Sequence, residues 1–262
     1  MMSLYIFINL ILNINIMNYT IKIKHNKKMD LKIPEFTCDH NPIGEHLNKY
    51  DMLSHLNCYN FTVLIGRPGS GKTSLLISML TGKKNNKVFR KCFNNILLVM
   101  PPSSIHSMKN NIFKKHDEDK IYDELSISTI NDIYNKLLTY SEDNENTLLI
   151  MDDVGASLKN NDIQKTLKTI IYNRRHLKVT IIMLCQSYLS IVKEIRKLIT
   201  NIFMFKPSKT EMINFMEELF ECRKDAALDL LSLYEDKHDY LMLNVDSQKI
   251  YHMFDEVIIE EN

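Results

Sequence analysis

The chain has 262 residues, of which 45% are hydrophobic and 25% are charged, and this is ordinary for a folded soluble protein with one α/β domain and additions. The net charge of +1 identifies no partner, although basic residues prevail in the first 120 positions and acidic residues thereafter. The five cysteines are dispersed without a C-x-x-C pair, which argues against a disulfide framework and predicts a reducing, intracellular compartment.

Residues 1–50 are predicted to be an N-terminal extension and lead-in, and residues 51–262 a single domain. The apolar run at 4–17 is shorter than the ~20 residues of a membrane span, and three asparagines interrupt it. No firm membrane segment is therefore expected. We interpret the run as an extension upstream of a start at Met17. A membrane-associated segment, or an extra strand or helix packed on the domain, are the alternatives.

The stretch Phe61–Gly82 joins an apolar strand to an apolar helix through a glycine-rich turn. The turn fits G-x-x-x-x-G-K-[ST], the phosphate-binding P-loop. Glycines let backbone N–H groups close around phosphates, the lysine supplies a point charge, and the threonine hydroxyl completes a Mg²⁺ shell. Gly82 is expected at the C′ position of the helix. The predicted nucleotide-binding residues are Gly66, Arg67, Pro68, Gly69, Ser70, Gly71, Lys72, Thr73 and Ser74.

Apolar runs alternate with amphipathic segments along the rest of the chain. This alternation predicts an α/β fold in which helices cover both faces of a mostly parallel sheet, with a closing hairpin from Tyr240–Val245 and Lys249–Phe254. The predicted strands are Phe61–Ile65, Ile96–Met100, Thr147–Met151, Val179–Leu184 and Asn201–Phe205. The predicted helices after the P-loop helix are Asp162–Arg175, Leu189–Ile199, Glu211–Phe220 and Asp225–Tyr234.

The strand Thr147–Met151 ends at two carboxylates, as in a Walker B motif. Asp152 is predicted to bind the Mg²⁺ shell opposite Thr73, and Asp153 to orient and polarise the attacking water. The next strand ends at Gln186, whose amide is a candidate contact for both the γ-phosphate and the water. Arg174 and Arg175 are candidates to stabilise charge on the transferred phosphoryl group, or are merely surface charges favoured by the helix dipole.

These motifs, GRPGSGKT, LLIMDDVG, NRRHLKVTII and LCQSY, resemble in order and spacing the genome-packaging ATPases of poxviruses and other large nucleocytoplasmic DNA viruses, within the FtsK/HerA class. The resemblance covers roughly Asp51 to Ile259. It implies a RecA-like core and ATP hydrolysis between the subunits of a homo-oligomeric ring. It also implies an arginine finger at Arg174 or Arg175 that reaches a neighbouring site. Many members of the wider class have glutamate where this chain has Asp153.

The resemblance further implies a motor that drives double-stranded DNA into a preformed capsid. Its implied partners are DNA and viral capsid or membrane portal proteins, in the virion and the host cytoplasm. Candidate DNA contacts are Arg67 and the basic stretches Lys83–Lys91 and Lys109–Lys115. Two alternatives remain at this point: a nucleoside or nucleotide kinase, and an ATP-binding assembly scaffold with little turnover. The paired carboxylates and Gln186 favour water as the phosphoryl acceptor.

Overall fold

The structure, a computed structural model, describes residues 45–49, 51–56, 59–83, 87–102, 104, 112–114, 116–221 and 223–258. Residues 1–44, which make up most of the predicted extension and include its apolar run, lie outside the described residues. Among the helices that the structure describes, none has the length and apolar character that a bilayer crossing requires.

A nine-stranded sheet forms the centre of the fold, in the order β3-β2-β4-β5-β1-β6-β7-β8-β9. The strands from β3 to β6 along this order are parallel, and those from β6 to β9 are antiparallel. The strands are β1 Phe61–Ile65, β2 Asn95–Val99, β3 Ile121–Tyr122, β4 Thr147–Asp152, β5 Val179–Cys185, β6 Asn201–Phe205, β7 Tyr240–Asn244, β8 Lys249–His252 and β9 Asp255–Val257.

Helices cover both faces of the sheet, as predicted. They are α1 Asp51–Ser54, α2 Lys72–Thr81, α3 Ile127–Glu142, α4 Asn161–Tyr172, α5 Lys193–Arg196, α6 Lys209–Phe220 and α7 Lys224–Asp229. Short 3-10 turns occur at Glu45–Lys49, Glu118–Lys120, Ser157–Lys159, Tyr188–Ser190 and Leu230–Leu233. The core on one face includes side chains from α3, α4, α6 and α7, and the core on the other includes side chains from α1 and α2.

The central strands are buried on both faces because their residues are continuously apolar. All five residues of β1 and all seven of β5 are buried. Alternate residues of β1 therefore contribute to different cores: Val63 packs with the helices of one face, and Leu64 with those of the other. Because β1 is packed on both faces, the position of the loop that follows Ile65 is fixed relative to the sheet. Leu47 is also fully buried, so packing against the second face begins before residue 51.

Several predicted elements need correction. Leu189–Ile199 is not one helix: it is a 3-10 turn, an extended Ile191–Val192 and the four-residue α5. Asp225–Tyr234 is the short α7 followed by a 3-10 turn. The closing hairpin gains a third strand, β9. Gly82 does follow α2, but its φ of −49° is not the left-handed C′ conformation that we predict. Finally, α3, which is capped by the Ser126 side chain, has no counterpart among the predicted helices.

Candidate functional site

The P-loop follows β1 at the carboxyl edge of the parallel sheet, and its glycines are needed for distinct reasons. Gly69 and Gly71 have φ of 73° and 115°, in the left-handed region that disfavours residues with a side chain. A Cβ on Gly66 would lie 2.6 Å from the Ser70 hydroxyl and 2.8 Å from Cβ of Phe205. The loop therefore approaches the end of β6 closely, and bulkier residues would force it open.

The Lys72 ammonium lies within the loop that it follows. It donates hydrogen bonds to the carbonyls of Gly66, at 2.5 Å, and Arg67, at 3.1 Å. Burial lowers the pKa of Lys72, while the charges of Asp152 and Asp153 oppose that shift. The ammonium is therefore half-buried close to two carboxylates, where its charge acts in a low-dielectric environment. The Ser70 hydroxyl is buried and has no hydrogen-bond partner among the described residues.

The two carboxylates lie where β4 ends. Asp152 is the last strand residue and is half-buried, and its pKa is raised by burial and by the charge of Asp153. Lys72 and a hydrogen bond from Ser104 act in the opposite direction on that pKa. Asp153 is exposed and has a φ of 54°. Aspartate is among the residues that tolerate this left-handed conformation, which gives a physical reason for aspartate at the second position.

Strand β5 connects the P-loop to the carboxylates through its last two carbonyls. The backbone N–H of Gly66 donates to Cys185 at 3.1 Å, and that of Asp153 donates to Leu184 at 3.2 Å. Gln186 follows directly and is exposed. The structure thus brings together the predicted P-loop, both carboxylates and the glutamine at one sheet edge.

The loop after Gln186 is fixed by α6. One carboxylate oxygen of Glu211 accepts hydrogen bonds from the Ser187 hydroxyl, at 2.7 Å, and from the Tyr188 backbone, at 2.5 Å. The Ser208 hydroxyl in turn accepts from the backbone of Glu211 and caps that helix. This anchor limits how far the strand tip that carries Gln186 can move.

A group of residues in this arrangement can bind a nucleoside triphosphate. The glycine-lined turn leaves backbone N–H groups free of side chains, Thr73 lies in the first turn of α2, and the Asp152 carboxylate lies near Lys72. No cluster of three or more histidine, cysteine or acidic side chains suited to a metal occurs among the described residues. A Mg²⁺ ion at Thr73 and Asp152 would accordingly need phosphate oxygens as further ligands, which is the usual mode for this ion.

Comparison with known proteins identifies the family. The model of the poxvirus A32 protein family matches residues 48–260. The chain belongs to the poxvirus A32 protein family. This membership confirms the resemblance to poxvirus genome-packaging ATPases and the ATPase class, and it does not favour the kinase or the scaffold. No curated protein sequence matches the chain.

Two solved structures that the chain resembles in fold are genome-packaging enzymes of Sulfolobus viruses. The NTPase B204 of Sulfolobus turreted icosahedral virus 2, in complex with ATP-gammaS, is 17% identical with a TM-score of 0.57, covering 77% of this chain and 100% of that one. The DNA-packaging ATPase B204 from Sulfolobus turreted icosahedral virus is also 17% identical, with a TM-score of 0.57, covering 78% and 100%. At these identities the likeness confirms the P-loop fold of this A32 family chain.

The two arginines lie at the opposite edge of the sheet. Arg174 donates through Nε to the Tyr59 carbonyl, at 2.8 Å, two residues before β1 begins. Its own carbonyl accepts from Val179, the first residue of β5. The five residues of β1 at ~3.3 Å each separate this point from the P-loop by about 16 Å. Neither arginine of this A32 family chain therefore reaches the P-loop of the same chain.

Arg174 and Arg175 differ in their surroundings. Arg174 is half-buried and also donates through a guanidinium nitrogen to the Ile171 carbonyl, at 3.0 Å, so its position is fixed within the chain. Arg175 is exposed, and none of the described ion pairs or side-chain hydrogen bonds involves it. Of the two, Arg175 is free to contact a second molecule.

Two contributors to this site are absent from the sequence-based prediction. Ser104, beyond the end of β2, hydrogen-bonds Asp152, but nothing in its local sequence distinguishes it from other loop serines. Glu211 is visible in the sequence as the last residue of a Ser-x-x-Glu capping box. That pattern predicts helix capping, whereas the carboxylate binds the loop of Ser187 and Tyr188 instead.

Proposed function

We propose that this chain is an ATP-driven motor that moves double-stranded DNA into a preformed capsid during virion assembly. The observation that carries the proposal is the separation of the site into two edges of the sheet. The P-loop, Asp152, Asp153 and Gln186 share one edge, and Arg175 lies exposed at the other. A homo-oligomeric ring, in which each subunit offers both edges to its neighbours, unites the two halves.

The residues of the site divide the work of hydrolysis among them. Lys72 and the N–H groups of the loop bind the phosphates, and Thr73 and Asp152 hold Mg²⁺, which when bound neutralises charge on the phosphate oxygens. Asp153 orients the water and accepts its proton, and Gln186 orients that water against the γ-phosphate. Arg175 of one subunit stabilises the charge that develops in the site of the next.

Duplex DNA is the molecule that we propose the motor moves, and basic side chains are needed to bind its phosphates. Among the candidates in the described part of the chain, Arg67, Lys83, Lys87, Lys91 and Lys114 are exposed. Neutralising phosphates releases counterions, so DNA binding and DNA-stimulated hydrolysis should weaken steeply as salt rises. The proposed partners are viral capsid or portal proteins, and the proposed place of action is the virion assembly site in the host cytoplasm.

The test measures ATP hydrolysis with and without long duplex DNA, alongside the mass of the oligomer. We expect DNA to stimulate hydrolysis, a salt-sensitive stimulation, and a defined ring mass in the presence of nucleotide. Lys72→Ala should abolish nucleotide binding and hydrolysis together. Equal rates with and without DNA at low salt, from a protein of monomeric mass, would contradict the motor.

A further inference from the structure

A turn from the last third of the chain lies directly on the P-loop. The turn Glu235–Asp239 connects the 3-10 turn Leu230–Leu233 to β7. Nδ1 of His238 lies 2.9 Å from the Ser70 carbonyl and 3.3 Å from the position that a Cβ on Gly71 would take. Nζ of Lys237 lies 3.9 Å from the corresponding position on Gly69. None of the nucleotide-binding motifs in the sequence includes these two residues.

The turn is held in place by its own hydrogen bonds and by β6. The Asp239 carboxylate accepts from the backbone of Glu235, at 2.9 Å, and Asp236, at 2.7 Å. The Tyr234 hydroxyl, just before the turn, is buried and donates to the Met204 carbonyl, at 2.8 Å. These bonds fix the backbone on both sides of Lys237 and His238, so the position of the turn over the loop is set before any ligand binds.

The order of the strands indicates which end of the nucleotide faces this turn. Asp152 on β4 and Gln186 after β5 lie on one side of β1, and they mark where the γ-phosphate and the metal belong. The P-loop wraps the middle of the phosphate chain, so the nucleoside end extends away from β4 and β5. Strands β6 and β7, and with them the turn Glu235–Asp239, lie on that other side of β1.

We propose that Lys237 and His238 complete the nucleotide site from its nucleoside side, an inference that rests on the function proposed above. His238 is a positioning residue. Because a carbonyl only accepts, Nδ1 carries the proton, and its hydrogen bond to Ser70 fixes the shape of the loop. Lys237 is a binding residue, whose exposed ammonium contacts the ribose of the nucleotide. Among the described ion pairs none involves Lys237, so its charge is available.

The two roles predict different responses to ligands that lack a nucleoside. We would measure the KM for ATP and the inhibition constants for ADP and inorganic tripolyphosphate, on the full chain with Mg²⁺. Lys237→Ala should weaken ATP and ADP about tenfold and leave tripolyphosphate unchanged, with kcat preserved. Lys237→Arg should retain most of the affinity. Lys224→Ala, which removes an exposed lysine from α7, is the matched control and should change nothing.

His238 should affect all three ligands, because the loop binds phosphates whether or not a nucleoside is attached. His238→Ala is expected to weaken ATP, ADP and tripolyphosphate alike, by about tenfold. His238→Asn places an N–H donor where Nδ1 stands and should restore binding. A melting temperature near that of the parent chain shows that the variants are folded.

Unchanged constants for Lys237→Ala and His238→Ala would overturn the inference, as would an equal loss of ATP and tripolyphosphate in Lys237→Ala. Neither result would affect the motor, since DNA-stimulated hydrolysis in the parent chain is measured separately. If the parent chain shows no hydrolysis, binding of ADP and tripolyphosphate by calorimetry still distinguishes the roles of the two residues.

Discussion

One carboxylate oxygen of Glu211 lies 2.5 Å from the backbone nitrogen of Tyr188, and this contact joins α6 to the loop that carries Gln186. Replacing Glu211 with alanine releases that loop. We expect kcat to fall about 10-fold to 100-fold with the KM for ATP little changed, because only the positioning of the water is lost. Ser208→Ala removes the cap of the same helix and is the control, since it should lower the melting temperature without a comparable loss of kcat.

Asp153 combines an unusual backbone with its chemical role, and two substitutions separate these. Asp153→Asn retains tolerance of the φ of 54° but cannot accept a proton, so hydrolysis should be lost while nucleotide binding and stability persist. Asp153→Ala loses hydrolysis as well and should also reduce the free energy of unfolding by about 1 kcal/mol, from backbone strain. Thermal melts and single-turnover hydrolysis of both variants check this. Substantial turnover by Asp153→Asn would show that another group accepts the proton.

Substituting the two arginines should have different effects, one on hydrolysis and the other on stability. Arg175→Ala should fold normally and lose hydrolysis by about 10³-fold, because its charge acts in the neighbouring site. Arg174→Ala should lower the free energy of unfolding by roughly 1–3 kcal/mol, since the hydrogen bonds from the guanidinium to the Tyr59 and Ile171 carbonyls are lost.

Mixing inactive variants tests whether the arginine acts between subunits. Lys72→Ala chains still carry Arg175, and Arg175→Ala chains still carry an intact P-loop. A mixture should therefore regain part of the hydrolysis that neither variant shows alone. No recovery in mixed oligomers of confirmed composition would contradict an arginine supplied by a neighbour.

The pKa of Asp152 has a consequence for stability. Burial raises it above its ordinary value of 3.8. A carboxylate whose pKa is raised in the folded state favours folding when protonated, and that contribution is lost as the pH rises through the folded-state pKa. Asp152→Asn should therefore be more stable than the parent chain at pH 7, and the difference should shrink as the pH falls towards 4. The exposed Asp225→Asn serves as the control for the change in net charge.

Two glycines provide a matched pair for the packing of the P-loop. A Cβ on Gly66 would lie 2.6 Å from the Ser70 hydroxyl and 2.8 Å from Cβ of Phe205, and the latter cannot rotate away. Gly66→Ala should lower the free energy of unfolding by about 1–3 kcal/mol and abolish nucleotide binding. Gly155→Ala meets Ser190 at an ordinary 3.4 Å and should be tolerated. Melting temperatures and ATP affinity of both variants provide the comparison.

The sequence is sufficient to predict the central strands, because each is a continuous apolar run buried on both faces. It is misleading at Leu189–Ile199, where Ile191, Ile195 and Ile199 recur at helical spacing. The structure buries all three by linking a turn, an extended pair and a short helix, so periodic burial does not require one continuous helix. The sequence does contain the signals for α3, which has no counterpart among the predicted helices: the Ser126 cap and apolar residues at helical spacing.

The motif residues of the site are predictable because each motif is contiguous. The contacts that support them are not, since Glu211 meets a loop 23 residues earlier and His238 meets one 168 residues earlier. No local pattern encodes such pairings. They arise only when α6 and the turn before β7 pack against the edge of the sheet that carries the P-loop.

The position of β1 between β5 and β6 also affects how the protein folds while it is being synthesised. Strand β1 is the first along the chain of the nine strands that the structure describes, yet its two neighbours begin at Val179 and Asn201. During synthesis the P-loop strand therefore has no paired edge until most of the chain has left the ribosome. Newly made chains should acquire nucleotide binding late and abruptly, and fragments that end before Asn201 should need protection from aggregation at that exposed strand.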